Sequence, residues 1–190
     1  EFSQQNAENL NFDDNSFDYI LIKEAFHHFP RPWVALYEAF RVCRKGVVLI
    51  EPNDENTFFL NTLKRLIGKN FYNFETVGNF VYKLNNKELE KFALGMHHRY
   101  VGFLKINDAY EKGVEFIKLN TKNQKEKAVI KKIKNKIKFR NFLAKIKLLP
   151  YGLTTSVVFK SKPSLDLKNK LFNEGFSIRE LPSNPYLKKS

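Results

Sequence analysis

Two clusters of ionisable side chains follow two apolar runs near the start of this 190-residue chain. Lys23, Glu24, His27 and His28 follow the run at 17–22, and Glu51, Asn53 and Asp54 follow the run at 47–50. An imidazole titrates near neutrality and suits general-base work on a hydroxyl. His27 is the more open candidate for that base, and Glu24 lies close enough in sequence to reach the same acceptor. His28 reads first as a structural histidine packing the corner between a strand and a helix. Glu51 either touches a substrate or caps the helix that follows near Asn53. No arrangement of a nucleophilic triad is visible. The pairs His27-His28 and His97-His98 invite a metal reading, but neighbouring side chains point apart on a strand or a helix. No ordered set of Cys or carboxylate ligands accompanies them, so no metal is expected.

The elements that must position these residues are a strand at 17–22, a helix at 31–43 and a strand at 47–51. Pro32 suits the first turn of that helix, and Val34, Leu36, Tyr37 and Phe40 mark its apolar face. Arg44-Lys45-Gly46 reads as a turn. Continuous apolar runs of this kind suit strands covered on both faces of a parallel sheet, and strand, helix, strand makes one βαβ unit. In open α/β sheets ligands bind at the carboxyl ends of the strands, where both ionisable clusters fall.

The same stretch resembles the second half of a class I S-adenosylmethionine (SAM)-dependent methyltransferase of the small-molecule type. Such proteins read D-A-E-x-L-P-F-x-D-x-S-F-D, a strand, a histidine before D-P, a helix ending E-x-x-R-V-L-K-P-G-G, and a second strand. The matching residues are Ala7-Glu8, Leu10, Phe12, Asp14, Ser16-Phe17-Asp18, His28, Pro32, Glu38, Arg41-Val42, Lys45-Gly46 and Glu51-Pro52. They span about a quarter of the chain. Asn6 replaces the family's aspartate, and the lysine-glycine turn is shortened. The resemblance implies a partial Rossmann-like sheet, SAM as cofactor, and an in-line methyl transfer in which the protein aligns the acceptor and relieves it of a proton. It places Asn6, Ala7 and Glu8 beside the adenine, Lys23 along the methionine part through its backbone, and His28, at the family's histidine, among the cofactor-binding residues. Asn6 would accept from the adenine amino group, or it is a loop asparagine at a turn. The family's first strand, its glycine-rich SAM loop and its ribose-binding acid are not found in the chain. The sequence therefore reads as a C-terminal portion of such an enzyme, which as given would not hold SAM tightly.

Composition supports a folded chain, with 19 Phe and 8 Tyr. The single cysteine, Cys43, excludes an internal disulfide, reads as a small buried apolar residue, and suits a cytoplasmic location. No apolar run approaches the length of a membrane span. The net charge of +13 is unevenly spread, with five Lys/Arg against ten Asp/Glu in residues 1–60 and 28 against ten in residues 61–190. An acidic βαβ unit thus precedes a basic remainder suited to an anionic partner.

Much of that charge lies at 122–147, where 11 Lys/Arg accompany one acid, Glu126. Val129, Ile133, Ile137, Phe142, Leu143 and Ile146 recur at helical spacing, so this is a basic amphipathic helix. It is a solvated face on a substrate-capping insertion, a helix lying on an anionic membrane surface, or, less favoured, a nucleic-acid contact. The segments at 99–106 and 154–160 read as the last, antiparallel strand pair, around a helical insertion at 108–150. The helix-strand unit at 164–181 is an alternative for one of those places. Helices are also expected at 55–67, at 87–94 with Asn86 as cap, and at 108–118, with an aromatic insert near 70–82. Three domain segments follow: a core at 1–107, the basic insertion at 108–150, and terminal core strands at 151–190. The acceptor is a small, anionic molecule such as a sugar or surface-polysaccharide precursor. A non-catalytic module on the same scaffold and an RNA methyltransferase are the other readings.

Overall fold

The computed structural model describes residues 2–54, 66, 74, 80–109 and 111–186. The expected helix at 55–67 and most of the aromatic insert lie outside the described residues. Contacts divide the chain into two compact units, one of residues 1–54, 71–104 and 154–190, the other of residues 55–70 and 105–153.

The first unit carries an open five-stranded mixed sheet. Its strands are β1 (Phe17–Lys23), β2 (Cys43–Pro52), β3 (Tyr100–Ile106), β4 (Leu153–Phe159) and β5 (Ser177–Glu180), in the spatial order β1-β2-β4-β3-β5. β1 and β2 run parallel, joined through helix α1 (Pro32–Val42), which makes the expected βαβ unit. β3 and β4 are neighbours, and β5 pairs antiparallel with β3, Tyr100 opposite Glu180. The segment at 153–159 lies beside β3, as the first reading has it, and the antiparallel partner shown for β3 is the strand of the 165–180 helix-strand unit, at the sheet edge.

Alternation along the strands assigns residues to two faces. Val47, Leu49, Val101 and Val158 enter one core cluster with Leu36 and Phe40 of α1 and Leu89 and Ala93 of α2 (Asn86–Gly95). Val48, Val157, Phe159 and Tyr100 face the other way, against Leu167 and Leu171 of α4 (Leu165–Asn173). β4 is buried from Thr154 to Phe159, as a strand covered on both faces must be.

Several local expectations are corrected. The buried face of α1 is Pro32, Ala35, Leu36, Ala39, Phe40 and Val42, while Val34 and Tyr37 are exposed. Arg44-Lys45-Gly46 is no turn; the helix passes directly into β2 at Cys43. The parallel register moves from Phe17 opposite Cys43 to Tyr19 opposite Gly46, a bulge that leaves Arg44 and Lys45 against Asp18 at 2.8 and 3.1 Å. Gly46 is required for a different reason: a Cβ there would sit 2.5 Å from the Val158 carbonyl oxygen. Cys43 is fully buried and burial pushes its thiol up, as befits a packing residue. The cap of α2 is Asn85, whose side chain accepts from the Lys87 N–H at 2.9 Å; Asn86 is buried inside the first turn and accepts from Thr154.

The second unit carries the basic helix, α3 (Gln124–Lys145). The helix expected at 108–118 does not form beyond one 3-10 turn, Val114–Phe116, which follows Gly113 at φ 87°. Its competitors are side chains of α3. Arg140 bonds the Asp108 carbonyl at 2.8 Å, Asn141 accepts from Asn107 at 3.0 Å, and Glu111 pairs with Lys132 at 3.2 Å and Lys136 at 3.7 Å. The segment thus runs alongside α3 in the opposite direction, tied to the helix by these side chains.

Candidate active site

The ladder between β1 and β2 continues one residue beyond Lys23, where the Glu24 N–H donates to the Ile50 carbonyl at 2.8 Å. Glu24 itself adopts φ 47°, which turns the chain sharply away from the strand. The next two N–H groups, of Ala25 and Phe26, point at one oxygen of Glu51, at 3.0 and 2.9 Å. The other Glu51 oxygen meets His27 Nδ1 at 2.6 Å. Glu51 is fully buried, so its charge must be compensated locally, and three donors do so. This contact fixes the neutral His27 tautomer: Nδ1 carries the proton and Nε2 is the basic nitrogen.

Phe26, with no exposed surface, nails this turn into the core through edge contacts with Trp33 and Tyr82, and the Trp33 indole N–H donates to the Tyr82 hydroxyl at 3.0 Å. A 3-10 turn, Phe26–His28, follows, so the two imidazoles lie 4.0 Å apart. The expected exposures are reversed. His27 is the buried histidine of the corner and His28 is the exposed one. Glu51 does not stand open to substrate; it anchors the turn after β1, and the helix it was expected to cap lies outside the described residues. One sequence signal pointed to it. A lone carboxylate ending the apolar run at 47–50 had to find partners if that strand was buried.

The loop before β1 is tied to the same end of the sheet. The Asn6 side-chain oxygen accepts from the Glu8 N–H at 3.0 Å, and the Asn9 N–H donates to the Asn6 carbonyl, closing a compact turn. Glu8 accepts from the backbone N–H and Nε of Arg31, at 2.9 and 2.7 Å. Arg31 is the N-cap residue of α1, where a carboxylate also complements the helix dipole. Further along, Arg41 bonds the carbonyls of Leu10 and Phe12, at 2.9 and 2.8 Å, and the Asp14 carboxylate. Glu38 receives Arg41 and the Leu10 N–H, both on Oε2, at 2.9 and 3.0 Å. The Arg41 guanidinium, followed by the Leu10 N–H, holds the Glu38 carboxyl below its usual range. The E-x-x-R motif is therefore a clamp on the loop at 10–14.

Of the seven candidate residues, Glu24, His27 and His28 share the turn after β1, Lys23 adjoins it as the last strand residue, and Glu8 reaches the cap residue three positions later. Asn6 and Ala7 share the loop turn with Glu8. Lys23 and Glu24 are exposed, and Ala7 is half-buried. SAM presents a purine edge, a cationic sulfonium and ammonium, and a carboxylate. The exposed Glu24 carboxylate and Lys23 ammonium complement the two charged ends of its methionine part, so the donor set fits one side of the cofactor. The Asn6 amide oxygen and Glu8 carboxylate, expected beside the adenine, are already engaged within the chain. Among the described residues no cluster of His, Cys, Asp and Glu could hold a metal.

Residues 1–50, the loop, β1, α1 and most of β2, match the family model described as "Methyltransferase domain". No curated protein matches the chain. Among solved structures, a SAM-dependent methyltransferase from Thermotoga maritima is similar at 16% identity over 82% of this chain and 61% of its own, with a TM-score of 0.43. One from Methanosarcina mazei is similar at 16% identity, over 86% and 68%, with a TM-score of 0.46. One from Archaeoglobus fulgidus is similar at 13% identity, over 78% and 62%, with a TM-score of 0.43. This chain spans about three fifths of the Thermotoga protein's length. Through residues 1–50, which form the βαβ unit and its leading loop, the chain matches the methyltransferase domain family, as the motif resemblance implied.

Proposed function

We propose that this chain forms part of a SAM-dependent methyltransferase acting on a small anionic acceptor, of the class of sugars or surface-polysaccharide precursors, in the cytoplasm. One observation carries the reading: the residues that match the methyltransferase domain are those that build the turn holding Glu24, His27 and His28 at the ends of β1 and β2. When bound, SAM supplies a methyl carbon already activated by its sulfonium. Lys23 and Glu24 hold its methionine part, and the loop at 6–9 borders its purine. His27, with Nδ1 committed to Glu51, takes the acceptor proton at Nε2. His28, exposed beside it, lies on the cofactor side. The basic residues after position 60 favour a negatively charged acceptor.

The test is SAM binding by calorimetry and labelled methyl transfer on the complete gene product containing this chain. Replacing His27 with Ala is expected to lower kcat about 100-fold or more while SAM affinity holds, the loss typical of a removed general base. An unchanged kcat sinks the assignment of His27. No SAM binding by the complete product sinks the enzyme and favours a non-catalytic module on the same scaffold.

A further inference from the structure

We propose that the outer face of α3 docks on a lipid bilayer bearing anionic headgroups. The inference rests on this helix and not on methyl transfer. The inner stripe of α3, among them Val129, Ile133, Ile137 and Ala144, is buried or half-buried, so the unit already uses one apolar face. A second apolar strip points outward. At about 3.6 residues per turn, Phe139, Phe142 and Ile146 fall on one line, and they are 62%, 58% and 54% exposed. Large apolar groups left together in water on one line need a reason.

Their flanks give it. Lys134, Lys138 and Lys145 stand along one side of the strip and Lys136 along the other, all exposed, and Lys125, Lys131 and Lys132 continue the two rows toward the start of the helix. Lys132 and Lys136 reach Glu111, and they remain 68% and 49% exposed. The helix's one acid, Glu126, lies on the inner side and accepts from Thr121. Lys127, Lys131 and Lys134 also line a groove of about 450 Å³ with Leu119 and Ile130, a seat for a headgroup phosphate. Cations flanking a strip of Phe and Ile make the pattern of a helix lying in the interface plane, its rings at the acyl boundary and its lysine stems reaching up to phosphates. Nucleic acid would use the lysines and leave the strip unexplained. Among the described residues no helix is long and apolar enough to cross a membrane, which leaves binding at the surface.

The experiment is co-sedimentation of the whole protein with phosphatidylglycerol-phosphatidylcholine vesicles and with pure phosphatidylcholine vesicles. Binding to the anionic vesicles alone is expected, weakening as salt rises. The double variant Phe139→Ser, Phe142→Ser is expected to lose about tenfold in vesicle affinity, because the strip inserts, and its circular dichroism should be unchanged because both rings are exposed. Neutralising Lys131, Lys134 and Lys138 to Gln should abolish binding. Failure to bind anionic vesicles overturns the proposal. So does vesicle binding that survives loss of both phenylalanines but is displaced by single-stranded RNA, which would make α3 a general polyanion site.

Discussion

Glu51 and His27 meet at 2.6 Å across 24 positions of sequence, and the same carboxylate takes the N–H groups of Ala25 and Phe26. One fully buried anion at the end of β2 therefore fixes both the path of the chain after β1 and the protonation pattern of its first histidine. Replacing Glu51 with Gln keeps the shape but turns one acceptor into a donor that faces either His27 or the two backbone N–H groups. The expected cost is about 2 kcal/mol of stability by urea denaturation, the scale of hydrogen bonds to a charged group. Nitrogen NMR of the imidazole should also report a changed His27 tautomer, which loss of packing alone would leave alone.

The Glu38–Arg41 clamp makes a prediction about acid. The folded state holds the Glu38 carboxyl below its unfolded value, chiefly through Arg41. Such a group contributes stability that is fully present above the unfolded carboxylate range and is lost as pH falls through the folded value. Asp18, held down first by Lys45 and also by Arg44, acts in the same direction. Stability should therefore fall on acidification below about pH 4.5, where carboxylates begin to protonate. The fall should be shallower in Glu38→Gln, measured by thermal melts across a pH series.

His98 offers an opposite test, of a histidine buried neutral. Its ring stacks on Phe40 with centroids 5.0 Å apart, and its Nε2 is buried without a partner. Burial, then Lys160 and His97, lowers its pKa. A lowered histidine contributes stability that is present above the unfolded value near 6.5 and is lost as pH falls towards the folded value. Melts between pH 7.5 and 5.5 should show that loss, on the order of the usual histidine range. His98→Leu should flatten it; a slope unchanged in the variant would remove His98 as its source.

Gly46 is expected to tolerate no side chain. The Val158 carbonyl, 2.5 Å from the Cβ position, belongs to the backbone of the adjoining strand and has no rotamer to move. Gly46→Ala should cost about 1–3 kcal/mol, as overpacking does, read as a lower urea midpoint at unchanged slope. A midpoint equal to that of the parent would show that β2 and β4 can separate at this point.

The βαβ unit, the basic helix and the later strands were legible in the residues alone, because apolar periodicity is local and survives without its partners. So were the charge division at about residue 60 and the methyltransferase motif. What the residues alone misplaced were details with distant causes. The helix expected at 108–118 was lost, and its Asp108 and Glu111 are held by side chains of α3, 21 to 32 residues on. The cap at Asn86 moved to Asn85 because Asn86 is needed by Thr154, 68 residues away. Which histidine is buried, why position 46 is glycine and what Glu51 holds emerged from the folded chain. Each depends on which backbone or charge lies opposite in the sheet. A buried charge is satisfied by whatever donors the fold brings to it, and residue type alone does not name them.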